Sequence, residues 1–245
     1  MDFKLEEYIL PDRPYIICYM MQSLDGSSYG DWSQYTIETF KQVQIQEPNF
    51  KAKGIINGSS TMEKLYLPKD YKINLSPFKN QKINKNEDFK SNNNCTMYLI
   101  GFDGKGKLQY KQSNYDCWFY PRKNEKVEFL NVVTEQVSDE YLLYLRSINV
   151  SYIIAGKDKI DIKIALTKLK NLFGIDKCLL EGGSIINGVF IDVDCIDEVA
   201  VFIAPILGNI NGKPIINIQK VVNLEFLSSQ TFNKGDILLR YKVKK

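Results

Sequence analysis

The chain has 245 residues, 44% of them apolar and 25% charged, enough to bury a full core and most simply read as one globular domain. Its net charge of +3, with both signs interspersed, gives no basic face for nucleic acid, and no run approaches the ~18 apolar residues of a membrane span. Histidine is absent, which excludes a Ser-His-Asp triad, a His-containing zinc site and the zinc-deaminase signature. No metal is expected, and any proton must come from a carboxylic acid, a tyrosine or water. Asp2, Glu6 and Glu7 stand where a signal peptide would carry basic residues. The five cysteines are odd in number and widely spaced, so buried free thiols in a reducing cytoplasm are expected rather than disulfides.

In chain order, residues 15–21 are an apolar run of strand length, and residues 33–46 carry the helix-like spacing of Ile37, Phe40 and Ile45. Residues 53–57 predict a buried strand, and 59–65 a short helix entered through Gly58. Residues 68–94, rich in Asn, Lys, Ser and Pro with no sustained period, read as a long surface excursion, mobile or wrapped around a partner subunit. Strands follow at 95–101 and 127–134, with a Gly- and Lys-rich turn at 103–107. Ser138 is placed to cap a helix reaching Ile148, with Asp139 and Glu140 in its first turn. Strands at 151–155 and 177–180 flank a helix at 162–173, whose Ile164, Ala165, Leu169, Leu172 and Phe173 form one apolar face. A strand through 196–204 stops at Pro205, and strands at 221–232 and 236–243 form an antiparallel hairpin. Repeated βα alternation implies an α/β fold with a mixed, mostly parallel sheet and helices on both faces.

The most informative segment is Leu179-Leu180-Glu181-Gly182-Gly183-Ser184-Ile185-Ile186-Asn187-Gly188. A buried strand ends in an acidic residue and two glycines that open a helix. Glycine lets a ligand approach the backbone, and the first helical N–H groups point outward with roughly half a positive charge behind them. That combination suits a pyrophosphate; the plainer reading is a strand-to-helix turn. Gly58-Ser59-Ser60-Thr61 offers a second helix start, so two helix N-termini are expected to grip one dinucleotide. Ser23, Gly58 and Glu181 all fall at carboxyl ends of expected strands, where ligands of such sheets bind.

Together with the strand Ile196 to Gly208, the Glu181 to Gly188 segment resembles the reductase half of the bifunctional riboflavin-biosynthesis deaminase-reductase, a family of the dihydrofolate-reductase-like superfamily. Residues 13–26, with Ser23-Leu24-Asp25-Gly26, resemble its first strand and turn. Residues 54–61 resemble its second strand and Gly-x-x-Thr helix start, and residues 236–241 its closing strand. The resemblance implies a three-layer dihydrofolate-reductase-like fold, a homodimer, the reductase half alone, and a nicotinamide dinucleotide as cofactor, NADPH before NADH. It implies cofactor contacts at Tyr35, Thr61, Gly183, Ser184, Ile185, Ile186 and Asn187, beside Gly58 and Gly182 from the helix starts, and substrate contacts at Ser33 and Glu181. The segment Gly30-Asp31-Trp32-Ser33-Gln34-Tyr35 carries an apparent insertion, Trp32, relative to the family's Gly-Glu-Ser-x-Trp.

Two departures bear on specificity. The family usually ends its third strand with a small hydroxyl residue that receives the NADP 2′-phosphate; here Asp103 stands there, suited to hold a 2′-OH instead, with Lys105 and Lys107 as offsetting charge. The arginine that helps hold the substrate phosphate is missing from 62–69, where Lys64 or Lys69 offers charge without a bidentate fork. Glu181 and Asp25 are the candidate catalytic carboxylates, Asp25 being equally suited to turn chemistry. The expected function is hydride transfer to a small-molecule substrate, 5-amino-6-(5-phosphoribosylamino)uracil, with no nucleic-acid or membrane partner. The alternatives are a related pteridine-like or carbonyl substrate and a catalytically idle nucleotide-binding regulator.

Overall fold

The computed structural model describes residues 9–28, 36–92, 94–116, 125–208, 212–232 and 234–245. They form two compact units: Tyr15–Ala52 with Lys177–Lys245, and Lys53–Asp176 with Leu10–Pro14. Among the described residues no helix is long and apolar enough to cross a membrane.

The first unit contains β1 (Tyr15–Ser23), α1 (Ile37–Gln46), β7 (Lys177–Leu180), α5 (Ser184–Asp192), β8 (Glu198–Ala204), β9 (Leu224–Thr231) and β10 (Ile237–Val243). Its strands run in the order β7-β1-β8-β10-β9. β7, β1 and β8 are parallel, with Tyr15 opposite Lys177 and Ile17 opposite Glu198, whereas β10 and β9 close the sheet antiparallel, as the hairpin pattern predicts. Tyr19 is buried edge-on against Phe50 and Phe202, and its hydroxyl donates to the Val43 carbonyl at 2.5 Å. At the amino ends of the strands, Arg240 makes a forked pair with the fully buried Glu198, at 2.6 and 2.9 Å, and lies over the Phe50 ring. Removing one partner would strand the other charge at a cost of roughly 3–5 kcal/mol, so the pair holds β10 in register against β8.

The apolar spacing of α1 does not face the core. Ile37, Phe40 and Ile45 are exposed, and the buried residue is Thr39, whose hydroxyl bonds the Asp236 carboxylate. A hydrogen bond between buried polar groups outweighs the amphipathic pattern here, since leaving both groups unpaired would cost more than exposing part of an apolar side chain.

The second unit contains β2 (Gly54–Gly58), α2 (Ser59–Leu65), β3 (Met97–Phe102), β4 (Asn114–Tyr115), β5 (Val127–Val133), α3 (Asp139–Ser147), β6 (Ser151–Ile154) and α4 (Ile162–Phe173). β2, β3, β5 and β6 are parallel, and the two-residue β4 pairs antiparallel with β5. Ser138 caps α3 by accepting the Tyr141 N–H, as its sequence position predicts. α4 spans the expected residues and buries Ile162, Ala165, Leu166, Leu169 and Phe173, but Ile164 and Leu172 are exposed.

Among the described residues of 68–94 there is one 3₁₀ turn, Ser76–Phe78, and no α-helix, and the segment is fastened to its own unit. Ile73, Leu75, Phe78 and Phe89 pack on the core, and Phe89 exchanges both backbone hydrogen bonds with Tyr152 at 2.8 and 2.9 Å. Asp88 accepts the Ile154 N–H and the Lys168 ammonium, and Lys82 and Lys85 both bond Asp139. A polar composition hides this because the fastening uses scattered apolar side chains and backbone groups.

Hydrogen bonding from Lys82, with Lys85, holds the Asp139 carboxyl below its ordinary range. A depressed carboxylate pKa contributes stability above the unfolded-state value that is lost as pH falls through the folded value. Amide exchange in residues 82–88 should therefore accelerate on acidification through that window, and Asp139→Asn should reproduce the loosening at neutral pH, both read by exchange mass spectrometry.

Candidate active site

β1, β7 and β8 are parallel, so their carboxyl ends point the same way: Ser23 lies opposite Ala204, while Leu180 lies opposite Cys18, earlier along β1. Glu181, half-buried, follows β7 directly. Gly182 adopts φ +92°, and a Cβ there would sit 3.2 Å from both the sulfur and the methyl carbon of Met20, so an L side chain would be strained twice over. The Gly182–Gly183 peptide is cis. Gly183 is the exposed N-cap of α5, and no side chain caps that helix start, so its leading N–H groups are left for water or an anion. Ser184 and Ile186 are half-buried, while Ile185 is 72% exposed, an apolar side chain in solvent beside backbone donors.

Asn187, expected to touch the cofactor, is fully buried. Its amide nitrogen donates to the Ile215 carbonyl at 2.7 Å, and the Asn217 N–H donates to the Ser184 carbonyl at 3.0 Å, so the segment around 215–217 is strapped along the start of α5. The Asn187 side-chain oxygen makes no hydrogen bond to the described residues. Asp25 lies in the turn after β1 with its carboxylate bonded to Ser23 and Gly208.

In the second unit Gly58 ends β2 and is the N-cap of α2, again without a side-chain cap, and Thr61 is half-buried in the first turn. The preceding Asn57 is fully buried with neither amide atom bonded to the described residues. An unsatisfied buried amide is costly, which marks Asn57 as a candidate binding residue that the sequence reading missed. The available signal was an amide closing the otherwise apolar strand Ile55-Ile56-Asn57 at a helix start. Ser33 and Tyr35 lie outside the described residues.

The expectation for Asp103 is corrected. Its carboxylate is buried and accepts the N–H groups of Lys107 and Leu108 at 2.6 and 2.9 Å, so it shapes its own turn rather than facing a ribose. Burial pushes its pKa upward against these hydrogen bonds. Lys105 and Lys107 are exposed. Among the described residues no cluster of His, Cys, Asp and Glu is arranged to hold a metal ion.

These features define an α/β protein with an uncapped, glycine-led helix start following a parallel strand. Residues 14–238 match the model of the RibD C-terminal domain, and the chain belongs to that family. It is 30% identical over 128 residues to the 2,5-diamino-6-ribosylamino-4(3H)-pyrimidinone 5′-phosphate reductase of Methanothermobacter thermautotrophicus, a match covering 49% of this chain and 58% of that protein. The fold is similar to that of a pyrimidine reductase-like protein from Corynebacterium diphtheriae, with a TM-score of 0.66 at 19% identity over 96% of this chain and 93% of the other. The riboflavin biosynthesis reductase Rib7 of Saccharomyces cerevisiae matches with a TM-score of 0.64 at 19% identity, over 98% and 97% of the two chains. The mostly parallel α/β strand pairing and the closing antiparallel hairpin expected from the sequence are found.

The strap gives a direct test. Asn187→Ala removes one hydrogen bond worth about 1 kcal/mol, so amide exchange at Asn217 should quicken roughly fivefold. Unchanged exchange there would mean that Asn187 does not hold the segment.

Proposed function

We propose that this protein is an NAD(P)H-dependent reductase of a 6-ribosylaminopyrimidine 5′-phosphate in riboflavin biosynthesis, with 5-amino-6-(5-phosphoribosylamino)uracil as substrate. One observation carries the reading: the uncapped start of α5, entered through Gly182 and Gly183 directly after Glu181, opens on the carboxyl-end side of the parallel strands β7, β1 and β8. The donor set fits a dinucleotide. Backbone N–H groups and the positive end of the helix dipole suit a pyrophosphate, and exposed Ile185 offers apolar surface to a nucleoside. The start of α2, with Gly58, Thr61 and the unsatisfied Asn57, is proposed as a second anion-facing helix start in its own unit.

When bound, the dinucleotide supplies a hydride from its reduced nicotinamide ring. The chain's own residues position and polarise. Hydride adds at C1′ of the opened sugar, the C1′ to nitrogen double bond becomes single, and the nitrogen takes a proton from a carboxylic acid, a tyrosine or water. Glu181 is the side chain proposed to orient the substrate's polar groups. The preference for NADPH draws on the resemblance and on exposed Lys105 and Lys107, with Asp103 withdrawn into its turn. The name of the Methanothermobacter relative favours a second substrate, the pyrimidine before deamination. Buried free thiols at Cys18 and Cys178 support a cytoplasmic setting.

NADPH and NADH oxidation, measured with both phosphoribosylamino-pyrimidines, dihydrofolate and simple carbonyls, decides the reading. Turnover is expected with a phosphoribosylamino-pyrimidine, and Glu181→Gln should lower kcat/KM about 10- to 100-fold. Cofactor binding without oxidation of any substrate would favour a nucleotide-binding regulator. Binding of neither cofactor would end the proposal.

We also propose a homodimer. β9 is the outer strand of its sheet and exposes Leu224, Phe226 and Leu227, an apolar edge that a monomer has reason to cover. Light scattering should show a dimer, and Phe226→Lys should shift it toward monomer.

A further inference from the structure

The loops leaving β1 and β8 are fastened together by one carboxylate oxygen. Beyond the last register pair, Ser23 opposite Ala204, the Leu24 N–H donates to the Ile206 carbonyl at 2.8 Å, so the two chains stay paired as they leave the sheet. Asp25 Oδ1 then accepts the Gly208 N–H at 2.7 Å and the Ser23 hydroxyl at 2.5 Å. Ser23 is itself locked into the turn: its Oγ accepts the Ser27 N–H at 3.1 Å, and its N–H donates to the Ser27 carbonyl at 2.9 Å. The approach is close enough that a Cβ on Gly208 would lie 2.6 Å from Ser23 Oγ and 3.0 Å from Asp25 Oδ1.

Both donors reach the same oxygen, and neither bond requires a negative charge; a neutral carbonyl oxygen accepts both. The clasp also has a product. Leu24 and Leu207, each next in sequence to a clasped residue, are left 64% and 71% exposed at the carboxyl edge. Both leucines sit on the backbone that the Asp25 hydrogen bonds fix, so their position at this edge is set with it.

We infer that Asp25 is a positioning residue and not the proton source: as an acceptor it clasps the exit loops of β1 and β8 and so sets Leu24 and Leu207 as apolar walls for a planar heterocycle. The inference rests on the reading of this edge as the reductase site. It explains why Asp25 sits beside Gly26 and before Ser27, a turn sequence, while facing the loop of a strand some 180 residues away. The donors around it, Ser23 first, hold its carboxyl below the usual range, which suits a fixed acceptor rather than a group that exchanges a proton near neutrality.

The test compares Asp25→Asn with Asp25→Ala. The asparagine variant keeps the acceptor and loses the charge: it should retain protection of the Gly208 amide, a kcat within about fivefold of wild type, and the wild-type pH profile. The alanine variant should lose Gly208 protection and about 10- to 100-fold in kcat/KM. Gly208→Ala, whose methyl group would enter the clasp, should reproduce the alanine phenotype, so the result does not hang on one variant. An asparagine variant as impaired as alanine while Gly208 stays protected, or an alanine variant with wild-type kinetics, overturns the inference. Should the wild type oxidise neither cofactor with any substrate, the reductase reading fails on its own. The exchange data then decide the clasp alone: loss of Gly208 protection in the asparagine variant refutes it, and retention there with loss in alanine supports it.

Discussion

The parallel register of β7, β1 and β8 is the constraint from which the first unit's chemistry follows. Pairing from Ile17 opposite Glu198 through Ser23 opposite Ala204 sends the strands out at one edge together. A slip by one residue would turn each buried side chain of β1 to the other face, and it would also carry Ser23 away from Gly208. The sheet thus sorts its polar groups by end. Charged side chains gather where the strands begin: Glu198 with Arg240, and Lys177 with its ammonium disfavoured chiefly by burial. Where the strands leave, backbone N–H groups, hydroxyls and single acceptor oxygens take over.

That division has an energetic logic. A buried forked ion pair adds little net stability, yet a misregistered β10 would leave Glu198 buried without its guanidinium, a state several kcal/mol higher. The pair therefore penalises the wrong hairpin more than it rewards the right one. Short backbone-anchored bonds suit the opposite edge under the proposed function, because the proposed ligand would need donors that are already aimed and are not neutralised by a neighbouring side chain. The uncapped start of α5 meets that requirement, and the strap held by Asn187 fixes the helix without occupying its leading N–H groups.

Much of this was legible in the residues. β7, α2 and α4 span their expected ranges because each is bounded by a strong local signal: Gly182 after β7, Gly58 before α2, and Asp161 and Gly174 at the ends of α4. Legibility failed where a polar contact distant in sequence overruled a local pattern. Thr39 is buried by Asp236, so α1 turns its apolar residues outward. Residues 68–94 look unstructured because their order comes from Asp88, Phe89 and the lysines on Asp139, none of which has a sequence period. At the candidate site the glycines could be read directly, since backbone geometry restricts the residue type. Side-chain roles could not. Asp103 and Asp25 both read as ligand-facing carboxylates; in the fold Asp103 accepts the N–H groups of Lys107 and Leu108, and Asp25 accepts the Gly208 N–H and the Ser23 hydroxyl.

A common rule lies behind those last two cases. A carboxylate at the end of a strand has two sets of donors within reach, those of a ligand and those of the loop the strand enters, and the loop's donors are present at all times. Backbone N–H groups in a tight turn need an acceptor once water is excluded, so the nearest carboxylate is recruited unless a side-chain hydroxyl or carbonyl forestalls it. In a chain without histidine, proton chemistry cannot then be assigned to a carboxylate from its position alone. The better indicator is an unsatisfied group that no loop has claimed. By that measure the buried amides of Asn57 and Asn187, with three side-chain atoms unbonded among the described residues, point to ligand-facing chemistry more directly than the two aspartates do.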